Sequence, residues 1–312
     1  MKTIFVTVSD DRSGRKNGLY GKTQDKILEY LKHNSFGITD FLFVKYNDIL
    51  QTDFYLENKL ILDTFEPAFN GRCYKPYAIL EGLNKINEND FLIYNDVSPE
   101  LWSFIDTNNT INKHEYDINI IKKLCEENND ILTPQCNFIL NDDPLINYHT
   151  HENFTLDICM KRMNLEDYKH SLQHASGMIC LKKTNKTVNF VKEWLKYNII
   201  DECASVTSFS NITNNNINTS TIYPNFWVNE YENKIGHRHD QSISGLLINK
   251  MNNKLVVSPT NMYPTYNFLS FCIINHSYKF IDSNQPKTKK KIINILNTET
   301  NIYDMIVYDR VD

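Results

Sequence analysis

Several classes of protein are excluded by what this chain lacks. It has no basic footprint: 33 Lys and Arg face 38 Asp and Glu, for a net charge of −5 and a pI near 6.0. A nucleic-acid partner is therefore not expected. No apolar run approaches the roughly 18 residues needed to span a bilayer, so no membrane span is expected. The opening MKTIFVTV is too short for a secretory core, and Ser9-Asp10-Asp11 follows it without a small-residue cleavage site. The seven cysteines are odd in number, scattered, and never form a CxxC pair. That pattern excludes structural zinc and a disulfide framework, and predicts reduced, mostly buried thiols in a cytosol-like compartment. There is no internal repeat and no linker, so one mixed α/β domain is expected.

Short β-rich runs alternate with helical patterns in the N-terminal half. Ile4 to Val8, Phe41 to Val44 and Phe91 to Tyr94 read as strands. Gln24 to Leu31 reads as a helix, as does the segment from Lys75, with Pro76 in its first turn and Ile79, Leu80, Leu83 and Ile86 on one stripe. This rhythm predicts a doubly wound, mostly parallel sheet. Further on, His114 to Asn129, Thr187 to Tyr197 and Asp240 to Met251 read as helices, and Ala175 to Leu181 and Phe271 to Ile274 as strands. Residues 204–221 are polar and Asn-rich, a long loop that could cover an acceptor. Lys287 to Lys291 reads as a solvated turn and helix start.

Three constellations could carry chemistry. The first is DFLIYNDVS, where an apolar strand stops on Asn95-Asp96. In an open parallel sheet ligands bind beyond the carboxyl ends of the strands. Asp96 there could hold a divalent ion or accept from a ribose; the structural alternative is a cap for a helix starting near Pro99. The second is His237-Arg238-His239-Asp240-Gln241-Ser242, dense in metal ligands at a helix start, or simply a helix capped by Asp240. His149 with His151, and His170 with His174, are further pairs that a metal could use. The third is His276 with Lys279, placed beyond the Phe271 strand to meet a metal and a diphosphate.

Taken in order, Tyr74-Lys75-Pro76-Tyr77, Tyr94-Asn95-Asp96, Ala175-Ser176-Gly177-Met178, Glu193-Trp194-Leu195 and His237 to Ser242 resemble the nucleotide-sugar-dependent glycosyltransferases of GT-A type. The nearest likeness is the group found in surface-polysaccharide clusters and large DNA viruses. It covers most of residues 3 to 280. The resemblance implies a single GT-A (Rossmann-like) domain over residues 1–285, with a central mostly parallel sheet flanked by helices and a C-terminal extension, 286–312, packing on it. It implies a cytoplasmic enzyme (host cytoplasm or virion, if viral) that moves a sugar from a nucleoside-diphosphate sugar, UDP-sugar foremost, to a glycan or protein-linked acceptor.

The same resemblance implies roles. Asp240 and Gln241 are the catalytic pair at the sugar, arranged as in retaining enzymes. Thr7, Ser9, Asp10, Lys75, Tyr94, Asn95, Asp96 and Lys279 meet the donor nucleotide. Ser176, Gly177 and His239 meet sugar or acceptor. Asp96, Ser98 and His276 hold a divalent cation, Mn²⁺ or Mg²⁺. Ser98 stands where many members have a second Asp, which weakens hard-ion binding and keeps open a degenerate fold that binds nucleotide or glycan with little turnover. A metal-dependent hydrolase built on the His-x-His pairs is the other alternative.

Overall fold

The computed structural model describes residues 1–11, 18–34, 36–63, 67–107, 116–134, 150–200, 203, 237, 239–253, 255–257, 267–272, 279–281, 288–296 and 302–310. Strand β1 (Thr3–Ser9) leads into helix α1 (Leu19–Asn34), then β2 (Asp40–Lys45). Helices α2 (Tyr46–Ile49), α3 (Asp53–Leu62) and α4 (Pro67–Asn84) precede β3 (Phe91–Asn95). After a 3-10 helix (Pro99–Thr107) come α5 (Ile118–Glu127), β4 (Ile131–Leu132), α6 (His151–Phe154) and α7 (Asp157–Met163). Strand β5 (Met178–Lys182) and helices α8 (Asn185–Asn198) and α9 (Asp240–Lys250) follow.

The central sheet has five strands in the order β2-β1-β3-β5-β4. β1 pairs in parallel with β2 and β3, whereas β5 runs antiparallel to both β3 and β4. The sheet is thus evenly mixed, not mostly parallel. The difference matters for function. Because β5 is reversed, its start lies beside the end of β3, with Met178 opposite Asn95 and the Asp96 N–H donating to Gly177 O at 2.8 Å. A parallel β5 would put Gly177 at the far rim.

Alternating strand residues feed two cores. Ile4, Val6, Leu92, Tyr94, Ile179 and Leu181 pack with Ile79 and Leu83 of α4, Trp194 of α8 and Ile243 of α9. Phe5, Phe91, Ile93, Met178 and Cys180 pack on the other face with Ile27 and Leu31 of α1, Ile121 of α5 and Trp102. The two β-to-β crossovers therefore lie on opposite faces, and the chain reverses direction across β1. The carboxyl ends of β1 and β3 flank that switch point, where open α/β sheets bind ligands. Gly82 permits the tight seating of α4: an added Cβ would come within 2.6 Å of Leu92 and 2.7 Å of Val6.

Some expectations need correction. α4 begins at Pro67, so Pro76 lies in its interior and not in its first turn. Its neighbours Cys73 and Tyr74 are buried with Ile49, Tyr55 and Leu62, and that packing overrides the local tendency of proline to start a helix. In place of a strand from Phe271, residues Phe268–Phe271 form a 3-10 helix whose Asn267 side chain accepts from the Leu269 N–H. Lys289 to Lys291 belong to a strand, β8 (Thr288–Leu296), paired antiparallel with β9 (Ile302–Arg310). The β-branched run Ile292, Ile293 and Ile295 favours that state over a turn. Two further short strands, β6 (Leu255–Val257) and β7 (Lys279–Ile281), pair with each other. The loop at 204–221 lies outside the described residues. Among the described residues no helix is long and apolar enough to cross a membrane, and all six described cysteines are buried and free.

Candidate functional site

At the rim where β3 ends and β5 begins, one ammonium group organises everything around it. Lys75 is 8% exposed, carried on α4 beneath the sheet edge. Its Nζ lies 2.8 Å from Asp240 Oδ2 and 3.2 Å from Asp96 Oδ1. It also lies 3.1 Å from Ser176 Oγ and 3.2 Å from Ser176 O. The Ser176 hydroxyl donates to Asp240 Oδ2 at 2.9 Å, and the Tyr94 hydroxyl to Asp96 Oδ1 at 2.8 Å. The Tyr94 ring sits under the ammonium, 5.5 Å from Nζ to centroid. Four segments distant in the chain thus meet on one charge: α4, the end of β3, the turn before β5 and the start of α9.

The backbone behind each carboxylate is pinned from a different face. Trp102 Nε1 donates to Asp96 O at 2.8 Å, and Trp194 Nε1 donates to Asp240 O at 3.0 Å. Asn95 secures the turn: its Nδ2 donates to Gly177 O at 3.1 Å and its Oδ1 accepts from the Phe268 N–H at 2.8 Å. Asp240 is the first residue of α9, where the helix dipole favours a carboxylate. The N-cap is His239, not Asp240, and His239 holds φ 48° and ψ −115°, a conformation that side chains other than glycine rarely adopt. Strain of this kind persists where surroundings over-determine it; here the next residue is the buried Asp240.

Charge in the site is frustrated. Burial works against the Lys75 ammonium, but Asp240 and Asp96 outweigh it and hold its pKa above the ordinary value. Asp96 is pushed the other way: burial raises its pKa, Lys75 opposes, and Asp240 raises it further, leaving it above the usual carboxylate range. A raised carboxylate pKa means stability is greatest below the unfolded value of 3.8 and is lost as pH rises through the folded one. At neutral pH the charged Asp96 therefore opposes folding. Asp96→Asn is expected to melt about 1–3 °C higher than the parent at pH 7, with the gap closing towards pH 4, by calorimetry. A lower melting temperature at pH 7 would contradict the sign.

Of the residues expected at a site, Lys75, Tyr94, Asp96, Ser176 and Asp240 converge here, with Asn95 and Gly177 shaping the turn beneath. Gln241 lies beside them and donates from Nε2 to Gln173 Oε1 at 3.0 Å. Thr7 and Ser9 do not join the group. Both are buried, and the Ser9 hydroxyl donates to Gln24 Oε1 at 2.9 Å while Gln24 Nε2 reaches Thr7 O and Val44 O at 3.3 and 3.1 Å. Gln24 ties the ends of β1 and β2 together. Asp10 is buried just past β1. Ser98 is half-buried, its carbonyl accepting from the Leu101 N–H at 2.9 Å. Lys279 opens β7, and His276 lies outside the described residues.

Several of the described histidines have protein partners, and His149 lies outside the described residues. His237 accepts from the Leu156 N–H at Nδ1 (3.2 Å), and its Nε2 faces Cys203 O at 2.6 Å. His151 Nδ1 lies 2.8 Å from Thr155 Oγ1. His170 and His174 are not on a helix; the first pairs with Glu152 at 3.1 Å and the second is buried between Thr133 and Asn249. Among the described residues no cluster of three His, Cys, Asp or Glu could enclose a metal.

Sequence reasoning missed Trp102, Gln173 and the site role of Trp194. Trp194 was visible as the inward residue of an amphipathic helix, but nothing in the pattern links its indole to Asp240. No protein-family model, no curated protein and no solved structure matches the chain.

Proposed function

We propose that this protein is a GT-A type glycosyltransferase, moving a sugar from a nucleoside-diphosphate sugar, UDP-sugar foremost, to a glycan or protein-linked acceptor. One observation carries the reading. Lys75, Asp96, Ser176 and Asp240, which the family resemblance assigns to diphosphate, metal and sugar, gather around a single ammonium at the switch point of the sheet. Stabilising the negative charge that develops on a departing nucleoside diphosphate is the main catalytic task, and a charged Lys75 suits it.

A divalent cation fits this donor set as an ion shared with the ligand. Asp96 Oδ1 is taken by Lys75 and Tyr94, and its second oxygen is the one that would meet the ion, with diphosphate oxygens completing the shell as Mg²⁺ sites commonly do. The ion supplies neutralisation of the diphosphate. Asp240 Oδ2 is committed to an ammonium and a hydroxyl, which suits it to steadying positive charge at the sugar more than to removing a proton from the acceptor. That assignment, with the Asp-Gln likeness, favours retention of configuration.

The test is a thermal-shift panel of nucleoside diphosphates and their sugars, with and without Mn²⁺. A ligand at 1,000 times its dissociation constant stabilises by about 4 kcal/mol. One nucleotide family should raise the melting temperature, more so with Mn²⁺, and Asp96→Ala should abolish the Mn²⁺-dependent part. No shift from any nucleotide overturns the proposal.

A further inference from the structure

Four oxygens face the Lys75 ammonium. Asp240 Oδ2 lies 2.8 Å from Nζ, Ser176 Oγ 3.1 Å, and Asp96 Oδ1 and Ser176 O both 3.2 Å. None of them turns a hydrogen on it: the Ser176 hydroxyl gives its only one to Asp240 Oδ2 at 2.9 Å. Two of the four are carboxylates from different elements. The other two, a main-chain carbonyl and a hydroxyl, come from one serine and chelate the same point. That is the donor mixture of a hard-cation site. Three ammonium hydrogens cannot satisfy four such acceptors one to one, whereas a spherical ion has no hydrogens to count. The oxygens are also held from behind without help from Lys75. Trp102 Nε1 and Trp194 Nε1 donate to the main-chain carbonyls of Asp96 and Asp240 at 2.8 and 3.0 Å. Gly177 O, next to Ser176, accepts from the Asp96 N–H and from Asn95 Nδ2.

We propose that Lys75 is a tethered cation seated in a divalent-ion site, and that this site, built from Asp96, Asp240 and Ser176, binds an oxygen-seeking divalent cation once the ammonium is removed. Ammonium and ion are alternative occupants, so the parent protein takes up no divalent ion at these four oxygens. The donor set shares only Asp96 with the one that the family resemblance implies. Ca²⁺ accepts oxygens at about 2.3–2.6 Å, so the cage closes by roughly half an ångström around it. The Asp96 side chain is 36% exposed, and water on that side completes the shell. The inference needs no nucleotide, sugar or turnover; it stands on the cation chemistry of the rim alone.

Lys75→Met tests it, because methionine ends where the lysine Cε lies and vacates only the ammonium position. Melting is followed by circular dichroism in metal-free buffer as Ca²⁺ is added, with no nucleotide present. The variant should melt about 5 °C higher once Ca²⁺ reaches about 100 times its dissociation constant, and calorimetric titration should show a single ion bound. Sodium chloride at the same ionic strength should not reproduce the rise, as it would if the ion merely screened charge. The parent should move by less than about 1 °C, and so should Lys75→Met with Asp240→Asn. If Lys75→Met folds only when Ca²⁺ is added, the ion has become part of the fold and the proposal holds. If it does not fold at all, Lys75→Met with Asp96→Asn replaces it; this leaves one buried carboxylate in place of two and should still melt about 2 °C higher with Ca²⁺. A rise of equal size in the parent, or none in a folded Lys75 variant that keeps Asp240, overturns the inference. Neither outcome touches nucleotide binding, so the transferase reading stands or falls separately.

Discussion

Replacing Lys75 by methionine is expected to cost about 3–5 kcal/mol of folding stability and to abolish nucleotide-dependent stabilisation. The cost follows from what is left behind. The Asp240 side chain is 7% exposed, and without the ammonium its Oδ2 keeps the Ser176 hydroxyl but no countercharge. An uncompensated buried carboxylate is far more costly than the intact pair is favourable. Arginine would not rescue it: a planar fork cannot occupy a point between Asp96, Asp240 and the Ser176 carbonyl that a compact ammonium fills. Neutralising the partner should. Lys75→Met with Asp240→Asn is expected to recover most of the lost stability and none of the binding, by urea unfolding at pH 7. A single variant losing less than about 1 kcal/mol, or a double no more stable than the single, would mean that the three charges are not coupled as their distances imply. Lys75 also contributes to stability at alkaline pH. Its raised pKa gives stability that is complete below 10.5 and lost as pH rises through the folded value.

The position of Asp96 at the rim was legible because an apolar run that stops on a carboxylate marks the end of a strand, although that segment alone favoured a helix cap over a ligand role, and its partners Lys75 and Tyr94 were not fixed by it. The direction of β5 was not legible. Met178 to Leu181 are buried on both faces, and an apolar run of that kind reads the same whichever way it lies. Direction is decided by where the chain re-enters the sheet, through residues with no strand periodicity. The reading of the histidines as satisfied structural residues could not be given partners from the sequence, because Cys203 O, Leu156 N, Thr133 and Asn249 are all remote along the chain. Pro76 illustrates the converse: a sound local rule was outweighed by the burial of Cys73 and Tyr74. The placement of Gln173 has no local signature at all, since its contacts with Ser242 and Gln241 arise only when α9 is laid against the segment before β5.

Acid should unfold this protein through His174, two residues before Ser176. Asn249 Nδ2 donates to Leu172 O at 3.1 Å, which leaves Asn249 Oδ1 as the acceptor facing His174 Nε2 at 2.9 Å. Nε2 therefore carries the hydrogen, and Nδ1 accepts from the Thr133 hydroxyl at 2.7 Å. Protonating Nδ1 would bury a charge and force that hydroxyl to turn. Burial accordingly pushes the pKa from 6.5 down to about 3, with the Asn249 bond opposing only in part. Because the unfolded chain takes up a proton that the fold refuses, the stability contributed by neutral His174 is full above 6.5 and is lost as pH falls towards 3. Each pKa unit is worth about 1.4 kcal/mol, so the full window amounts to about 5 kcal/mol. His174→Gln keeps a donor for Asn249 and cannot titrate. It should be less stable than the parent at pH 7, and the two should draw together by about 1.4 kcal/mol per pH unit between pH 6 and 4, measured by urea midpoints. Carboxylates common to both proteins cancel in that difference. Parallel pH profiles would mean that His174 takes up its proton in the fold as readily as in the unfolded chain, with the Thr133 hydroxyl turned to accept from Nδ1.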